Sequence, residues 1–360
     1  MTKIDLSRFP PDVAEFYESA GAKLEGVPVS GGELTFRGTE RTKDLADVDI
    51  AVVGCPYDLG TSHRPGARFG PRAVRELSRY VGIWPTGEWP WHYNVSDEYT
   101  VVDWGDVGYQ VGYWESFRDA CLDAVRPMHD AGVGVLGLGG DHFITYPLMK
   151  AAAERHGPLA LVHFDAHTDD IPAPGHNHGT MFFHGILEEW IDPEHSLHLG
   201  IRTPYEHSES LGYTVLDTVH IREHTPQEIA ATVKEVVGDR PVYVTFDIDF
   251  IDPAFAPATG TPVPGGADVY HSRAILFAFD AVGLNVVSGD LVEVAPHYEG
   301  PAQITALAGA NIAADLTYLI AHSRRERIGH GDPTVPVAPA AIRSGGDRPT
   351  AQGRGGGSRR

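Results

Sequence analysis

Cysteine is scarce in this 360-residue chain: only Cys55 and Cys121 occur, and neither belongs to a Cys-x-x-Cys pair. That excludes a disulfide framework and sets the expectation of a reducing, cytoplasmic setting. Positive charge is also short. The 28 Lys+Arg face 49 Asp+Glu, a formal net charge of −21, so most of the surface repels nucleic acid and suits a metal ion or a cationic substrate. No run of about 18 apolar residues is found, so neither a membrane-spanning helix nor a membrane partner is expected. The opening "MTKIDLSRFPPDVAEF" lacks the apolar core of a signal peptide. Asn94-Val95-Ser96 matches a glycosylation sequon, but nothing else points to secretion. No internal repeat stands out.

What is present suffices for a large core: at this length, 42% hydrophobic residues suit one big α/β domain or two smaller ones. Residues 1–45 are mixed and Gly-interrupted, and read as an N-terminal arm over the core. Residues 46–325 alternate strand-like and helix-like segments. Residues 326–360 are rich in Pro, Gly and Arg and poor in core residues, so disorder is expected there.

The middle zone reads as strands at 49–58, 133–140, 159–167, 242–249 and 284–294. Helices are expected at 70–80, 116–132 (with a break at Pro127), 144–157, 225–239, 272–283 and 303–322. Thr225 and Glu228 form a capping box with Pro226 at the first helical position. Apolar strands alternating with helices predict a three-layer α/β/α fold with a mostly parallel sheet. Ligands of such sheets bind beyond the carboxyl ends of the strands.

The polar clusters fall at those ends. Asp141 and His142 follow "GLGG"; Asp165, His167 and Asp169 close "VHFDAHTDD"; Asp247 and Asp249 close "VTFDID"; Glu293 closes "GDLVEV". Alternation along a strand would turn Asp165, His167 and Asp169 to one face, where carboxylates are costly to bury without a counter-charge. The candidate ligands are therefore His142, Asp165, His167, Asp169, Asp247 and Asp249. This donor set has oxygen and nitrogen but no thiolate, and it favours Mn²⁺, with Fe²⁺, Co²⁺, Ni²⁺ or Zn²⁺ also possible. Its carboxylates formally cancel two divalent ions, and such ions about 3.5–4 Å apart can share and deprotonate a water. Each motif alone has a plainer reading as a turn, a cap or a surface strand end; together, each after a buried strand, they indicate a shared metal site. His163 is assigned to the opposite face and read as a packed core histidine. Asp141 is read as holding the turn or supporting a ligand, and Asp252, before Pro253, as a turn residue.

These residues carry a resemblance. "GGDH", "FDAHTD" and "TFDIDFIDPAFAPATGTPVPGG" are similar to the metal-binding signatures of the ureohydrolase family, which includes arginases, agmatinases and guanidino-acid hydrolases. The likeness spans roughly residues 45–322, takes in "VGCPYDLGTSHRPGARFGPRAVRELS", "HNHGTMF" and "LVEVAP", and is nearest to bacterial agmatinases. It implies an arginase-like fold and two Mn²⁺ held by His142, Asp165, His167, Asp169, Asp247 and Asp249. It further implies a proton-shuttling role for His178, a guanidinium-pairing role for Glu293 and a homo-oligomer, trimeric or hexameric. Substrate contacts are expected from Glu293, His178 and Asn177. The implied reaction releases urea from a guanidino compound: agmatine would give putrescine. Phe250 stands where agmatinases usually have Cys, Ala258 where Gly is usual, and the loop 170–176 differs from theirs. Arg202, His176 and Asn177 could serve an anionic substrate tail, as in a hydrolase of 4-guanidinobutyrate; Asp170, Glu206 and Glu209 could serve a cationic one. A deacetylase-like relative would lack this complete double-carboxylate pattern, and a non-catalytic scaffold would have lost ligands.

Overall fold

A computed structural model describes residues 6–15, 17, 33–81 and 89–329. Its strands are β1 (Glu40–Arg41), β2 (Ile50–Cys55), β3 (Val101–Asp106), β4 (Gly134–Gly139), β5 (Ala160–Phe164), β6 (Leu197–Leu199), β7 (Thr214–Leu216), β8 (Val242–Asp247) and β9 (Val286–Val292). They form one sheet in the order β1-β3-β2-β4-β9-β8-β5-β6-β7, and every pair is parallel.

Alternation sorts the strand residues into two apolar layers. Ile50, Val52, Leu136 and Leu138 pack with helices α1 (Gly70–Val81), α7 (Pro226–Val237), α8 (Val269–Ala281) and α9 (Ile304–Gly329). Ala51, Val53 and Val135 pack with α2 (Trp114–Asp130), α3 (Thr145–His156) and α4 (Met181–Leu187) on the other face. Two short helices, α5 (Glu206–Leu211) and α6 (Thr218–Glu223), flank β7. The result is the expected three-layer α/β/α arrangement. Truncating a fully buried residue such as Leu136 to Ala should remove about 2–5 kcal/mol of stability.

Several expectations need correction in detail. Pro127 does not break α2; it sits within its last turn, and the helix runs on to Asp130. The missing N–H removes one bond near an end that is already short of partners. Phe36 is buried and β1 pairs with β3, so the chain joins the sheet before residue 46 rather than lying over it as an arm. The remainder of the proposed arm falls largely outside the described residues. The last helix continues past 326 to Gly329; the rest of the expected tail lies outside the described residues. The segment Ile304–Arg325 is long and apolar enough to cross a membrane, yet 83% of its most apolar 18-residue stretch is buried within the fold. The capping box at α7 forms as expected, with Thr225 accepting from the Glu228 N–H and Glu228 accepting from the Thr225 N–H.

Chain order positions the site. From β4 the chain crosses to β5 and leaves a gap in the sheet that β8 and β9 later fill. The four strands whose carboxyl ends carry the polar clusters therefore become direct neighbours at the centre of the sheet.

Candidate metal centre

Each of the four strand ends is shaped differently. Beyond β4, a side chain at Gly140 would run into the backbone oxygens of Tyr57 and Cys55, so only glycine lets the chain turn there. Asp141 then caps a short 3-10 turn: its Oδ1 accepts the Phe143 N–H at 3.1 Å and its Oδ2 accepts the Gly60 N–H at 2.6 Å. That is the turn-holding role expected of it. β5 stops at Phe164, before Asp165. Asp165, His167 and Asp169 therefore meet through bends and a left-handed residue, Asp169 with φ 52°, rather than by lying on one face of a strand. β8 stops at Asp247, whose Oδ1 accepts the Asp249 N–H at 2.8 Å. β9 gives way to Glu293, also left-handed at φ 63°. Backbone strain of about 1–3 kcal/mol at each of these two carboxylates is typical of residues held for function.

The side chains converge. His142 Nδ1 lies 3.0 Å from Asp165 Oδ2, 3.0 Å from Asp169 Oδ2 and 3.3 Å from Asp247 Oδ2, yet it is fully buried and makes no hydrogen bond. Three acidic oxygens thus surround one ring nitrogen, and none of them meets it along a hydrogen-bond direction. A second group adjoins the first through Asp165: His167 Nδ1 lies 3.2 Å from Asp165 Oδ1 and 3.1 Å from Asp249 Oδ2. The structure brings the sequence candidates together: His142, Asp165 and Asp169, with His163, form one buried cluster, Asp165, the half-buried His167 and Asp249 form a second, Asp247 approaches through His142 Nδ1, and this donor set can hold metal.

Its electrostatics call for cations. Burial pushes Asp247 well above the usual carboxylate range, with repulsion from Asp249 and Asp165 adding to it. Burial and the Asp165 charge raise Asp249 to about 6 and also raise Asp169. Burial opposes charge on His142 and His167, but the surrounding carboxylates outweigh it; His142 is driven well up and His167 to about 12. Buried groups gathering protons this way are asking for positive charge, which divalent ions supply more compactly.

The orientation of His142 is fixed from behind. Its Nε2 is 2.9 Å from Thr245 Oγ1, and Thr245 donates its own hydrogen to Asp290. Nε2 must therefore carry a hydrogen, and in the neutral ring that leaves Nδ1 as an acceptor facing the carboxylates. Asp290 also accepts from the hydroxyls of Thr145 and Tyr243, each at 2.8 Å. Its room comes from Gly137 on β4, where a Cβ would approach the Asp290 Cβ to 2.9 Å. Sequence reading missed Asp290 and Thr245; the signal was a lone acid in "VVSGDLV" directly beside a strand glycine.

His163 needs correction. Residues 163 and 165 share parity, so alternation itself puts them on the same face, and the structure sets His163 Nε2 2.8 Å from Asp165 Oδ2. Although its nitrogens lie within ligand range of the first cluster, both are engaged, Nδ1 with His198 Nδ1 at 2.8 Å. Burial also holds it neutral, down to about 3, against the pull of Asp165. We read it as orienting Asp165. Behind it, His198 approaches Asp170, which accepts from His207 Nε2 at 2.8 Å and Ser208 Oγ at 3.0 Å. Asp170 is fully buried, so it is not a carboxylate of the substrate mouth. Arg202 is equally committed: its guanidinium donates to the backbone oxygens of Val263, Gly200, Phe250 and Asp249. His176 is stacked between Trp114 and His184, and Asn177 Oδ1 accepts the Gly179 N–H at 2.9 Å, shaping the turn that presents His178. Phe250 packs its ring against Phe164 and Phe246 in the core, and Asp252 accepts from the N–H groups of Ala254, Gly265 and Gly266, as a turn residue should.

Glu293 and His178 stand beside this centre. Glu293 Oε1 accepts the His142 backbone N–H at 3.0 Å and faces His178 Nδ1 at 2.9 Å. Glu293 Oε2 is buried with no hydrogen-bond partner, and a Cβ at Gly260 would crowd it at 3.3 Å, so glycine leaves that oxygen uncrowded. Burial opposes protonation of His178, but Glu293, Asp169 and Asp141 push it up to about 9. The Ser62 backbone N–H pulls the other way, donating to Nε2 at 3.0 Å, which requires a lone pair there. Since a backbone N–H can only donate, this contact favours the neutral ring with its hydrogen on Nδ1, in competition with the carboxylates that favour the charged ring.

Comparison with known proteins gives the same picture. A family model described as the arginase family matches residues 48–318. An agmatinase of Serratia proteamaculans is 44% identical over 275 residues, covering 76% of this chain and 88% of that protein. Among solved structures, a hypothetical agmatinase from Burkholderia thailandensis superposes with a TM-score of 0.78 at 40% identity, covering 84% of this chain and 94% of the other. Proclavaminate amidino hydrolase from Streptomyces clavuligerus gives 0.76 at 37% identity, with 82% and 99% covered.

Proposed function

The chain belongs to the arginase family, and on that premise we propose that it is an agmatinase, hydrolysing agmatine to putrescine and urea. The observation that carries this reading is the pairing of two features through one residue. His142 offers an unbonded Nδ1 to three carboxylates, and its backbone N–H holds Glu293, whose second oxygen is buried without a hydrogen-bond partner.

His142, Asp165, Asp169 and Asp247 would hold one ion, and Asp165, His167 and Asp249 the other. The oxygen- and nitrogen-only donor set favours Mn²⁺. When bound, a divalent pair supplies Lewis acidity and a water deprotonated at neutral pH. The protein's own residues do the rest. Glu293 Oε2 takes a guanidinium N–H in a charge-assisted bond and fixes the planar carbon for attack. His178 holds a proton on Nδ1 next to Glu293 and serves the leaving amine. One C–N bond breaks, one C–O bond forms, and the hydrogen lost by water ends on the amine.

The cationic tail is favoured on two grounds. The net charge of −21 steers cations inward. Arg202, the cation best suited by sequence to an anionic tail, is tied to four backbone oxygens instead. A cytoplasmic homo-oligomer is part of the same reading, supported by the cysteine count and the family likeness. The test is urea release from a panel of agmatine, 4-guanidinobutyrate and arginine after Mn²⁺ reconstitution. Agmatine should show the highest kcat/KM, with its lead shrinking as salt rises. A preference for an anionic tail would overturn the substrate and leave the metal chemistry standing.

A further inference from the structure

The loop 58–66 reaches over the site and is clamped on both sides of Ser62. On one side, Asp141 accepts the Gly60 N–H at 2.6 Å, and the Gly60 oxygen accepts the His178 N–H at 3.3 Å. On the other, Asp58 accepts the Gly66 N–H at 2.8 Å and pairs with Arg68, while Tyr298 donates to the Pro65 oxygen at 2.9 Å. Ser62 itself is exposed. Its N–H meets His178 Nε2 at 3.0 Å and its Oγ lies 2.8 Å from the same atom.

We propose that Ser62 is a positioning residue for His178, joining the buried imidazole to solvent through its hydroxyl and holding the ring's resting tautomer through its backbone N–H. The inference rests on the hydrolase reading above, in which His178 serves the leaving amine. Two contacts at one nitrogen have opposite demands. The N–H needs a lone pair on Nε2, which selects the neutral ring with hydrogen on Nδ1. A protonated ring must instead place its Nε2 hydrogen on Ser62 Oγ, the acceptor within reach. Changing protonation state therefore requires only that Nε2 swap one Ser62 partner for the other.

The proton has a defined path. Ser62 Oγ accepts a proton from a solvent acid (hydronium, left as water, or a protonated buffer, left as its conjugate base) and passes its own to His178 Nε2, so the serine ends as it began and the imidazole gains one proton and one positive charge. The reverse sequence discharges the ring. The charged groups facing His178 are Glu293 at the end of β9, Asp141 beyond β4 and Asp169 beyond β5; all favour the charged ring. From the loop 58–66, Ser62 alone of these partners offers both a donor and an acceptor. The clamps at Gly60 and Gly66 keep it in register without a side chain of its own being buried.

Ser62→Ala removes the hydroxyl and keeps the N–H; Ser62→Thr restores a hydroxyl. In the manganese-loaded enzyme, Ser62→Ala should lower kcat about tenfold with KM little changed and metal content equal to wild type. Imidazole buffer added at fixed pH and ionic strength should recover much of the lost rate, and Ser62→Thr should restore it without buffer. Independently of turnover, hydrogen–deuterium exchange at the His178 Cε1 position, read by mass spectrometry, should show a lower titration midpoint in Ser62→Ala and recovery in Ser62→Thr. An unchanged midpoint together with an unchanged kcat would overturn the proposal, as would a lost rate that buffer cannot rescue. If the wild type released no urea from any guanidine, the functional reading would fail, while the exchange measurement would still decide whether Ser62 controls His178.

Discussion

Thr245 Oγ1 stands 2.9 Å from His142 Nε2 and gives its own hydrogen to the buried Asp290. This contact settles which nitrogen of His142 faces the carboxylates. Thr245→Val keeps the shape and removes the acceptor, so the ring can flip its tautomer or rotate. Metal affinity should fall about 10- to 100-fold, the usual loss when a ligand's supporting bond is removed. Calorimetric titration of the metal-stripped protein checks it; Thr245→Ser should bind almost as wild type, and equal affinity in Thr245→Val would disprove the assignment.

Glu293→Gln should separate substrate pairing from metal binding. Glu293 belongs to neither His/Asp cluster and touches them only through the His142 backbone N–H, which a glutamine oxygen can still accept, so both ions should stay. Losing a charge-assisted bond of about 1.5–3 kcal/mol predicts a drop in kcat/KM on the order of 10- to 100-fold. Elemental analysis beside steady-state kinetics decides: near wild-type kinetics with full metal would make Glu293 a structural residue.

His178 predicts a pH dependence of stability. Its folded value is raised, to about 9 against an ordinary 6.5 or so, although burial opposes this and the Ser62 N–H restrains it. A raised histidine stabilises the fold fully below its unfolded value and loses that contribution as pH rises through its folded value. The stability gap between wild type and His178→Gln should therefore be largest near pH 6 and shrink by about 1–3 kcal/mol by pH 9–10. Denaturant titrations across that range measure it; a gap independent of pH would mean the ring stays neutral throughout.

Much of this was legible in sequence because buried carboxylates are rare and conspicuous. Asp165, Asp169, Asp247 and Asp249 stand after apolar runs, and the rule that parallel sheets bind ligands beyond their strands' carboxyl ends gathers them from sequence alone. What alternation did not supply was their geometry. β5 ends at Phe164, and Asp169 turns inward by adopting φ 52°, which no period-2 pattern encodes. His163 was misassigned although its parity with Asp165 was readable. Asp290 and the Ser62–His178 contact were out of reach for a different reason. They join residues 45 and 116 positions apart, and only the strand order β4-β9-β8-β5 and the clamped loop bring them together. The tail residues failed similarly: Asp170 and Arg202 have the charges a substrate mouth would use, but their partners are internal.

Chelation should also destabilise the fold. Removing ions from a centre where Asp247, Asp249 and Asp169 repel one another in a buried site takes away the charge that reconciles them. A site loaded at 100 times its Kd contributes about 2.7 kcal/mol. The melting temperature should fall on treatment with chelator and return with Mn²⁺, whereas Asp247→Ala should melt low in both conditions. A melting temperature indifferent to chelator would argue against a structural contribution from bound metal.

The most direct test of the account is a Mn²⁺ titration of the metal-stripped protein with agmatine present, following urea. Turnover should be absent without metal, rise with added Mn²⁺, and level off near two ions per chain. Full urea release in excess chelator, or none at any loading while the protein remains folded and binds its ions, would contradict it.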